Sequence, residues 1–424
     1  LSEIRTDRDL GVGIRVLRGD RAGFAYTNVL TLEAMLDAAR AAVTGSGGGT
    51  QGPSPRIDLR ERRLAPVQRA TDPPDHVDPA VKVDLLRRMD MSAHGRGKAV
   101  TSVTAIHVDV TQDILVATST GDVVRDRRVR TRVTCRATAA RDGRRETGFD
   151  GPGVGAGMEL YETTTPERIG ADAADRALRA LDASPPPTGV LPVVLGSAGG
   201  GLLLHEACGH GLEGDGLSRK SSVYAATVGS LVGSPLVTAI DNPALSLEYG
   251  SYTVDDEGAP ARETVLLDSG IQVGALTDVA SARILGGQPS ANARRESYAH
   301  PPIPRMSNTY IAAGSEGPSA IVADVSHGVY VARLKGGDVN ITTGEFAFAA
   351  SEAYAIEQGQ VTRPLGGLML LGNGPAALAS VEAVGDDLAF TQALCGKDEQ
   401  WVPVSYGSPT LLLTGLTVSG GGRV

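Results

Sequence analysis

Two histidines, His205 and His210, stand five residues apart in a segment that also holds Glu206, and this spacing constrains the local fold. Two imidazoles and a neighbouring carboxylate are the groups with which a zinc hydrolase holds its metal and takes a proton from water. The usual zinc-protease helix separates its histidines by four residues, which puts both on one face. Five steps of roughly 100° place the second imidazole about 140° around a regular helix. We therefore predict that one ion can bind both side chains only if the backbone departs from a regular helix, and Gly209 and Gly211 would make a bend or a helix end there easy.

A catalytic zinc site needs a third protein ligand, and two cysteines could supply it. Cys208 follows His205 by three residues and could reach the same side of a helix. Cys395 begins a polar, glycine-containing segment in which a thiolate would be accessible. Spacing alone does not distinguish the two cysteines. A glycine-rich loop with two polar histidines and no metal is the alternative interpretation of the motif.

With its further motifs, the sequence resembles the TldD/PmbA family, and in particular the TldD-type subunit. The resemblance extends from about Gly11 to the C-terminus. The matching segments are, in chain order, residues 205–210 with 213–215, 255–258, 292–295, 305–309, 336–337 with 343–346, 356–357, 372–374, 395–398 and 408–410.

The resemblance implies a zinc metallopeptidase in which His205, His210 and Cys395 hold the metal and Glu206 is the base. It thereby favours Cys395 over Cys208, which becomes a packing residue. It implies that the substrates are unfolded polypeptides or peptide intermediates, bound in extended form with little side-chain preference. It also implies a hetero-oligomer with a related, metal-free subunit, and a homodimer is the alternative.

Two other functions fit the same residues. One is a zinc-dependent hydrolase of an amide or C–N bond in a small peptide-derived metabolite, and the other is a non-catalytic partner subunit. The chain departs from the family at Glu399, where glycine is usual, and at Ser408, where glutamine is common; both departures bear on substrate preference. The family also has several tens of residues ahead of the position of Leu1, so we expect a native N-terminal segment to precede this chain.

The length of 424 residues favours two domains. Residues 184–189, Ser-Pro-Pro-Pro-Thr-Gly, have the composition of a linker. We predict an α+β protein with an N-terminal mixed α/β domain over residues 1–184, in which a sheet is combined with long helices. A mostly β domain over residues 185–424 would carry the zinc site.

Apolar periodicity predicts the elements of the N-terminal half. They are a hairpin over residues 11–27, helices over 31–43, 78–93 and 166–181, and strands over 100–137 and 156–163. Arg128, Arg130 and Arg132 recur at every second position. A solvated sheet face is the favoured interpretation of these arginines, and a stripe that binds a polyanion is the alternative.

Several classes of function are disfavoured. The net charge of −9 argues against nucleic acid as the main partner. Residues 151–157 are glycine-rich but lack the lysine and serine of a phosphate-binding loop, and no Gly-x-Ser-x-Gly segment of a serine hydrolase occurs. The longest uncharged run, residues 185–204, is broken by Pro192 and glycines, so no membrane helix is expected. Three cysteines without framework spacing favour a reducing compartment, the cytoplasm.

Overall fold

The computed structural model describes residues 3–49, 56–197 and 199–420. It confirms the predicted fold class, because long helices accompany a sheet in the N-terminal part and strands dominate the C-terminal part. The boundary between residues 184 and 185 remains our proposal. Within the described ranges, no helix has the length and apolar character needed to cross a bilayer.

The N-terminal elements are β1 (Val12–Arg18), β2 (Arg21–Thr27) and α1 (Leu32–Gly45). The two strands form the predicted antiparallel hairpin. The Thr31 hydroxyl accepts a hydrogen bond from the Ala34 N–H and caps the predicted helix. Arg15 of β1 forms ion pairs with Glu257 and Asp278, both in the C-terminal part of the chain. Because all three side chains are largely buried, these pairs attach the hairpin firmly to the rest of the protein.

The central elements are β3 (Arg60–Arg62), α2 (Pro79–His94), β4 (Val100–Ala117), β5 (Asp122–Arg141), β6 (Arg144–Asp150), β7 (Gly153–Val154), α3 (Leu160–Thr163) and α4 (Pro166–Leu181). Strand β5 is the centre of this sheet; it pairs antiparallel with β4, β6 and β7 and parallel with β3. Successive side chains of a strand point to opposite faces. The odd-numbered residues Val133, Cys135 and Ala137 of β5 join a buried core that includes Met89 and Ala173 of the two long helices.

The strand predicted over residues 156–163 is wrong, because this segment ends in the short helix α3. Tertiary contacts hold it in that form. The Met158 N–H donates to the Asp72 carbonyl, and the Glu159 carboxylate accepts a hydrogen bond from the Asp72 N–H at 2.9 Å. These partners lie more than eighty residues earlier in the chain, where local periodicity gives no indication of them.

The solvated face predicted for the arginines of β5 is also wrong, because Arg128 and Arg130 are only 4% and 3% exposed. The C-terminal part covers this face of the sheet at Arg128 and Arg130, whereas Arg132 is half-buried. Arg128 pairs with Asp126 at 3.0 Å and with Asp256 at 3.1 Å. Arg130 donates to the Tyr249 carbonyl at 2.9 Å. These arginines therefore connect the sheet to the C-terminal part. Their guanidinium groups donate to neighbouring carboxylate and carbonyl oxygens.

The C-terminal elements are β8 (Gly189–Leu195), α5 (Gly200–Leu204), α6 (Gly214–Ser218), β9 (Ala239–Asp241), β10 (Thr264–Asp268), β11 (Ile271–Gln272), α7 (Val279–Leu285), β12 (Ala293–Arg294), β13 (Ile303–Pro304), β14 (Asn308–Ile311), α8 (Pro318–Ala323), β15 (His327–Val339), β16 (Glu345–Glu357), β17 (Gln360–Leu365), β18 (Leu368–Asn373), α9 (Gly374–Ala379), β19 (Val381–Val384), β20 (Ala389–Lys397), β21 (Gln400–Ser408) and β22 (Leu411–Gly420). One sheet has the strand order β15-β8-β22-β18-β16-β17, and an extra pairing of β15 with β16 closes it into a ring. A second sheet has the order β11-β10-β9-β14-β21-β20, which leaves β20 at an edge. The main apolar core includes side chains of α5 and of both sheets, so α5 is firmly embedded.

We predict that Arg128→Ala lowers the free energy of unfolding by about 3–5 kcal/mol, because it leaves two buried carboxylates without their cation. Urea denaturation followed by circular dichroism measures the change. Arg136→Ala is the matched control, since Arg136 lies on the same face of β5 but is exposed; its effect should stay within about 0.5 kcal/mol. Equal effects of the two substitutions would contradict the connecting role of Arg128.

Candidate metal centre

His205 and His210 lie on a helical segment whose winding changes twice. Helix α5 runs directly into a π-helical turn at His205–Gly209, and a 3₁₀ turn follows at His210–Leu212. The His210 N–H donates to the His205 carbonyl, so the hydrogen bond joins residues i and i+5. This wider turn brings residue i+5 back to the side of residue i. The predicted departure from a regular helix is therefore present, and it is a π turn.

The helical segment ends irregularly at Gly209 and Gly211, which also serve packing. Gly209 has φ of −57°, which any residue can adopt in a helix. A Cβ atom on Gly209 would lie 2.2 Å from the sulfur of Met306, and one on Gly211 would lie 2.7 Å from the ring of Tyr224. Only glycine therefore lets the segment approach these two buried side chains.

Three predicted site residues converge from distant parts of the chain. The Cys395 sulfur lies 3.2 Å from Nε2 of His205 and 3.2 Å from Nε2 of His210. All three candidate ligand atoms lie within 4.8 Å of one another. A zinc ion about 2.0–2.3 Å from each donor needs donor atoms that are roughly 3–4 Å apart. Two imidazoles and one thiol at these separations fit such an ion.

The charges of the cluster also suit a cation. Burial alone would raise the pKa of the Cys395 thiol, but the neighbouring His205 and hydrogen bonds from both imidazoles outweigh it and lower the pKa to about 4. Burial likewise opposes a charge on His210, but Glu213 and Cys395 outweigh it and raise the His210 pKa well above its usual value. The metal-free cluster therefore holds a thiolate, which is the metal-binding form of cysteine, and a proton on His210 that a metal would displace.

A buried carboxylate orients His210 from behind. Glu213 Oε2 lies 3.0 Å from His210 Nδ1 and 2.8 Å from Lys397 Nζ, and Lys397 also contacts Asp215 at 2.7 Å. Metal-binding histidines commonly donate their second N–H to such a carboxylate, which fixes the ring. These roles were not predicted from the sequence, although two spacings could have indicated them. Glu213 follows His210 by three residues, and Lys397 follows Cys395 by two.

Two buried arginines fix the hairpin of β20 and β21 that carries Cys395. Arg305 donates to the carbonyls of Cys395 and Gln400, and Arg294 donates to the carbonyl of Pro403. In the turn of this hairpin, Glu399 has φ of 60°, a conformation that costs a residue other than glycine about 1 kcal/mol. The departure from the family's glycine therefore affects the turn, whereas the arginines hold the strand that bears the thiol.

Glu206 stands beside the cluster on its open side. Its carboxylate oxygen lies 3.9 Å from His210 Nε2, and its side chain is 32% exposed, compared with 14% for His210. The Tyr406 ring lies 5.7 Å from the His205 ring. Glu206 is thus close to the candidate ligands and accessible to water, which is the position that a general base requires.

Cys208 lies apart from the cluster. Its side chain is fully buried in the main core, where burial raises its pKa to about 12 despite a hydrogen bond with Tyr224. A neutral thiol in apolar surroundings is a poor metal ligand. Cys208 therefore packs in the core, as the resemblance implied.

The sequence matches three family models that cover most of the chain. They are described as PmbA/TldA metallopeptidase domain 1, which matches residues 1–46, the central domain, which matches residues 72–181, and the C-terminal domain, which matches residues 188–420.

Several known proteins are similar along nearly their whole length. A metalloprotease TldD homolog of Haemophilus influenzae is 37% identical over 423 residues, which is 97% of this chain and 87% of the relative. A metalloprotease of Methanothermobacter thermautotrophicus is 32% identical over 99% of this chain and 91% of the relative. The crystal structure of TldE from Thermococcus kodakarensis superposes with a TM-score of 0.75 at 20% identity, covering 96% of this chain and 89% of that one, and thus shares the fold.

We predict that the affinity for Zn²⁺ rises about tenfold per pH unit below the pKa of His210, because each ion displaces one proton. The Cys395 thiol, with a pKa of about 4, is already ionised and adds no proton at neutral pH. Competition with a chromophoric chelator between about pH 6 and about pH 8 measures the slope. A constant affinity across this interval, after correction for the chelator, would contradict a protonated His210.

Proposed function

The chain belongs to the PmbA/TldD metallopeptidase family, and on that premise we propose that it is a zinc-dependent peptidase. His205, His210 and Cys395 would hold the ion, and Glu206 would be the base. The observation that carries the proposal is the approach of the Cys395 thiol to both imidazoles across 190 and 185 residues of sequence. Zinc, when bound, would supply a Lewis acid that polarises a carbonyl group and acidifies water.

The chain's own residues would perform the proton transfers. Glu206 is accessible and lies 3.9 Å from an imidazole of the cluster, so its carboxylate can accept a proton from water in the site. The same oxygen can then deliver the proton to the amine that leaves. Glu213 and Lys397 would act as positioning residues, since Glu213 is bonded to the His210 ring and Lys397 is bonded to Glu213.

An extended, unfolded peptide is the substrate that the strand arrangement favours. Strand β20 carries Cys395, and within the described chain it pairs only with β21, so its other edge offers backbone groups beside the cluster. A peptide that adds to such an edge is held by main-chain hydrogen bonds, which do not depend on its sequence. This mode of binding supports cleavage with little side-chain preference.

We also propose that the chain works with a second subunit in the cytoplasm. The shared fold with TldE favours a related, metal-free partner, and a homodimer is the alternative. Three free cysteines, one of them a candidate ligand, suit a reducing compartment. Native mass spectrometry of the chain, alone and mixed with a TldE-type protein, distinguishes the two assemblies.

We predict that Cys395→Ala abolishes stoichiometric zinc binding, because it removes the only charged donor of the cluster. Cys208→Ala is the matched control and should retain one zinc per chain, since Cys208 is a neutral thiol in the core. Metal analysis after dialysis measures both. Equal zinc contents in the two variants would remove Cys395 from the ligand set.

We predict that Glu206→Gln keeps zinc but lowers kcat for an unfolded polypeptide by about 10²–10⁴-fold, the usual contribution of a general base. Glu382→Gln, which makes the same change at an exposed position in the C-terminal part, should retain full activity. Digestion of a denatured protein, followed by mass spectrometry, measures the rate. Unchanged cleavage by Glu206→Gln would exclude this residue as the base. Cleavage of small N-acyl compounds, without any cleavage of polypeptides, would favour a metabolite hydrolase instead.

A further inference from the structure

One face of β5 carries four arginines, which change from buried to exposed along the strand. Arg128 and Arg130 are buried and bonded to carboxylate or carbonyl oxygens, as described above. Arg136, at the far end, is exposed. Arg132 lies between them and is half-buried. Its Nε atom is buried without a hydrogen-bond partner, and its guanidinium has neither a hydrogen bond nor an ion pair to any residue that the structure describes.

Arg132 lies close to β20, the strand that carries Cys395. A Cβ atom placed on Gly153 of β7 would lie 3.4 Å from Cγ of Arg132 and 3.3 Å from Cβ of Gln392. Gln392 precedes Cys395 by three residues on β20, which corresponds to about 10 Å along a strand. Arg132 also interacts electrostatically with Tyr406, whose ring is next to His205. Gln392 and Cys395 point to opposite faces of β20, so the guanidinium is within reach of a peptide that pairs with the edge of this strand.

The surface beside Arg132 is apolar and open. Val108 and Ile106 of β4 lie opposite Arg132 and Thr134 of β5, so all four side chains share one face of the sheet. Val108 and Ile106 are each 49% exposed, whereas the same face farther along β5 is covered. An extended peptide could therefore rest its apolar side chains on β4 and present a polar group to Arg132.

We propose that Arg132 binds a carboxylate of the peptide substrate, about three residues from the bond that is cleaved. This inference rests on the proposed peptidase function and adds a preference to it. A half-buried guanidinium without a partner loses hydration without compensation, and a carboxylate fits its fork of donors best. A single carboxylate fits better than a polyanion, because Arg128 and Arg130 are already engaged and Arg136, the other cation of this face, lies about 13 Å farther along β5. The carboxylate is either an acidic side chain or the C-terminus of the peptide.

Two series of unstructured peptides distinguish these sources. In the first, one glutamate is moved through a neutral, C-terminally amidated sequence and compared with glutamine at each position. In the second, the neutral sequence carries a free or an amidated C-terminus. In one series, we expect the peptide with the carboxylate to have a kcat/KM about tenfold or more above that of its neutral analogue, mainly through a lower KM. We call this ratio the carboxylate advantage. An advantage in the first series identifies a side chain, and one in the second identifies the C-terminus.

Variants at two positions test the role of Arg132. Arg132→Gln should abolish the carboxylate advantage, so that the carboxylate and neutral peptides are cleaved with the same kcat/KM. Arg132→Lys should retain part of it, because lysine keeps the charge but loses the bidentate geometry. Arg136→Gln is the matched control and should behave like the wild type. The same advantage in Arg132→Gln as in the wild type, or none in the wild type, would overturn the proposal. If Arg132→Gln does not fold, as judged by its melting temperature, Arg132→Lys decides.

Binding separates this inference from the peptidase assignment. In zinc-loaded Glu206→Gln, fluorescence anisotropy with labelled peptides should give tighter binding of the carboxylate form than of its neutral analogue. The difference should disappear when Arg132→Gln is added. If the wild type cleaves no peptide but this difference persists, the peptidase proposal fails and Arg132 remains a carboxylate-binding residue. If peptides are cleaved but the difference is absent, the assignment of Arg132 fails alone.

Discussion

The hydrogen bond from the His210 N–H to the His205 carbonyl determines whether the two imidazoles can bind the same metal ion. A regular helix would turn the second ring away, whereas the π turn returns it to the side of the first. This helical segment packs closely against its surroundings only because glycine occupies two of its positions. Gly209 and Gly211 lie against Met306 and Tyr224 at distances that leave no room for a side chain. The geometry of the cluster is therefore a consequence of core packing.

The third member of the cluster depends on buried polar groups. Arg305, Arg294 and Lys397 hold the Cys395 hairpin and the residues around it through carbonyl and carboxylate oxygens. Burying such cations costs hydration, and apolar side chains of similar volume could give equal stability. Apolar contacts are not directional, so they do not fix the position of a strand along its own axis. Hydrogen bonds of fixed geometry fix that position, so we interpret these three residues as determinants of where the Cys395 strand lies.

The sequence predicted those features that depend on neighbouring residues. The predicted helices over 31–43, 78–93 and 166–181 agree with α1, α2 and α4 within two residues at each end, because apolar spacing and capping residues act locally. The need for an irregular helix at His210 also followed from spacing. The choice between Cys208 and Cys395 did not, since it depends on a strand 190 residues away from His205, and only the family resemblance favoured Cys395. The burial of Arg128 was missed for the same reason, because its cover comes from residues near 254–256.

Two opposite charges, the Glu206 carboxylate and the Arg132 guanidinium, both act on Tyr406 but come from different elements of the fold. Burial, and then the nearby Glu206 carboxylate, raises the pKa of Tyr406 to about 12, so its hydroxyl stays neutral over the physiological range. Arg132 also acts on Tyr406, yet within the described chain no ion pair joins Arg132 to Glu206. A direct ion pair would hold Glu206 in its charged form and weaken it as a proton acceptor, and it would occupy the guanidinium. Because Arg132 belongs to the sheet and Glu206 to the π turn, the proposed base and the cation can remain independent.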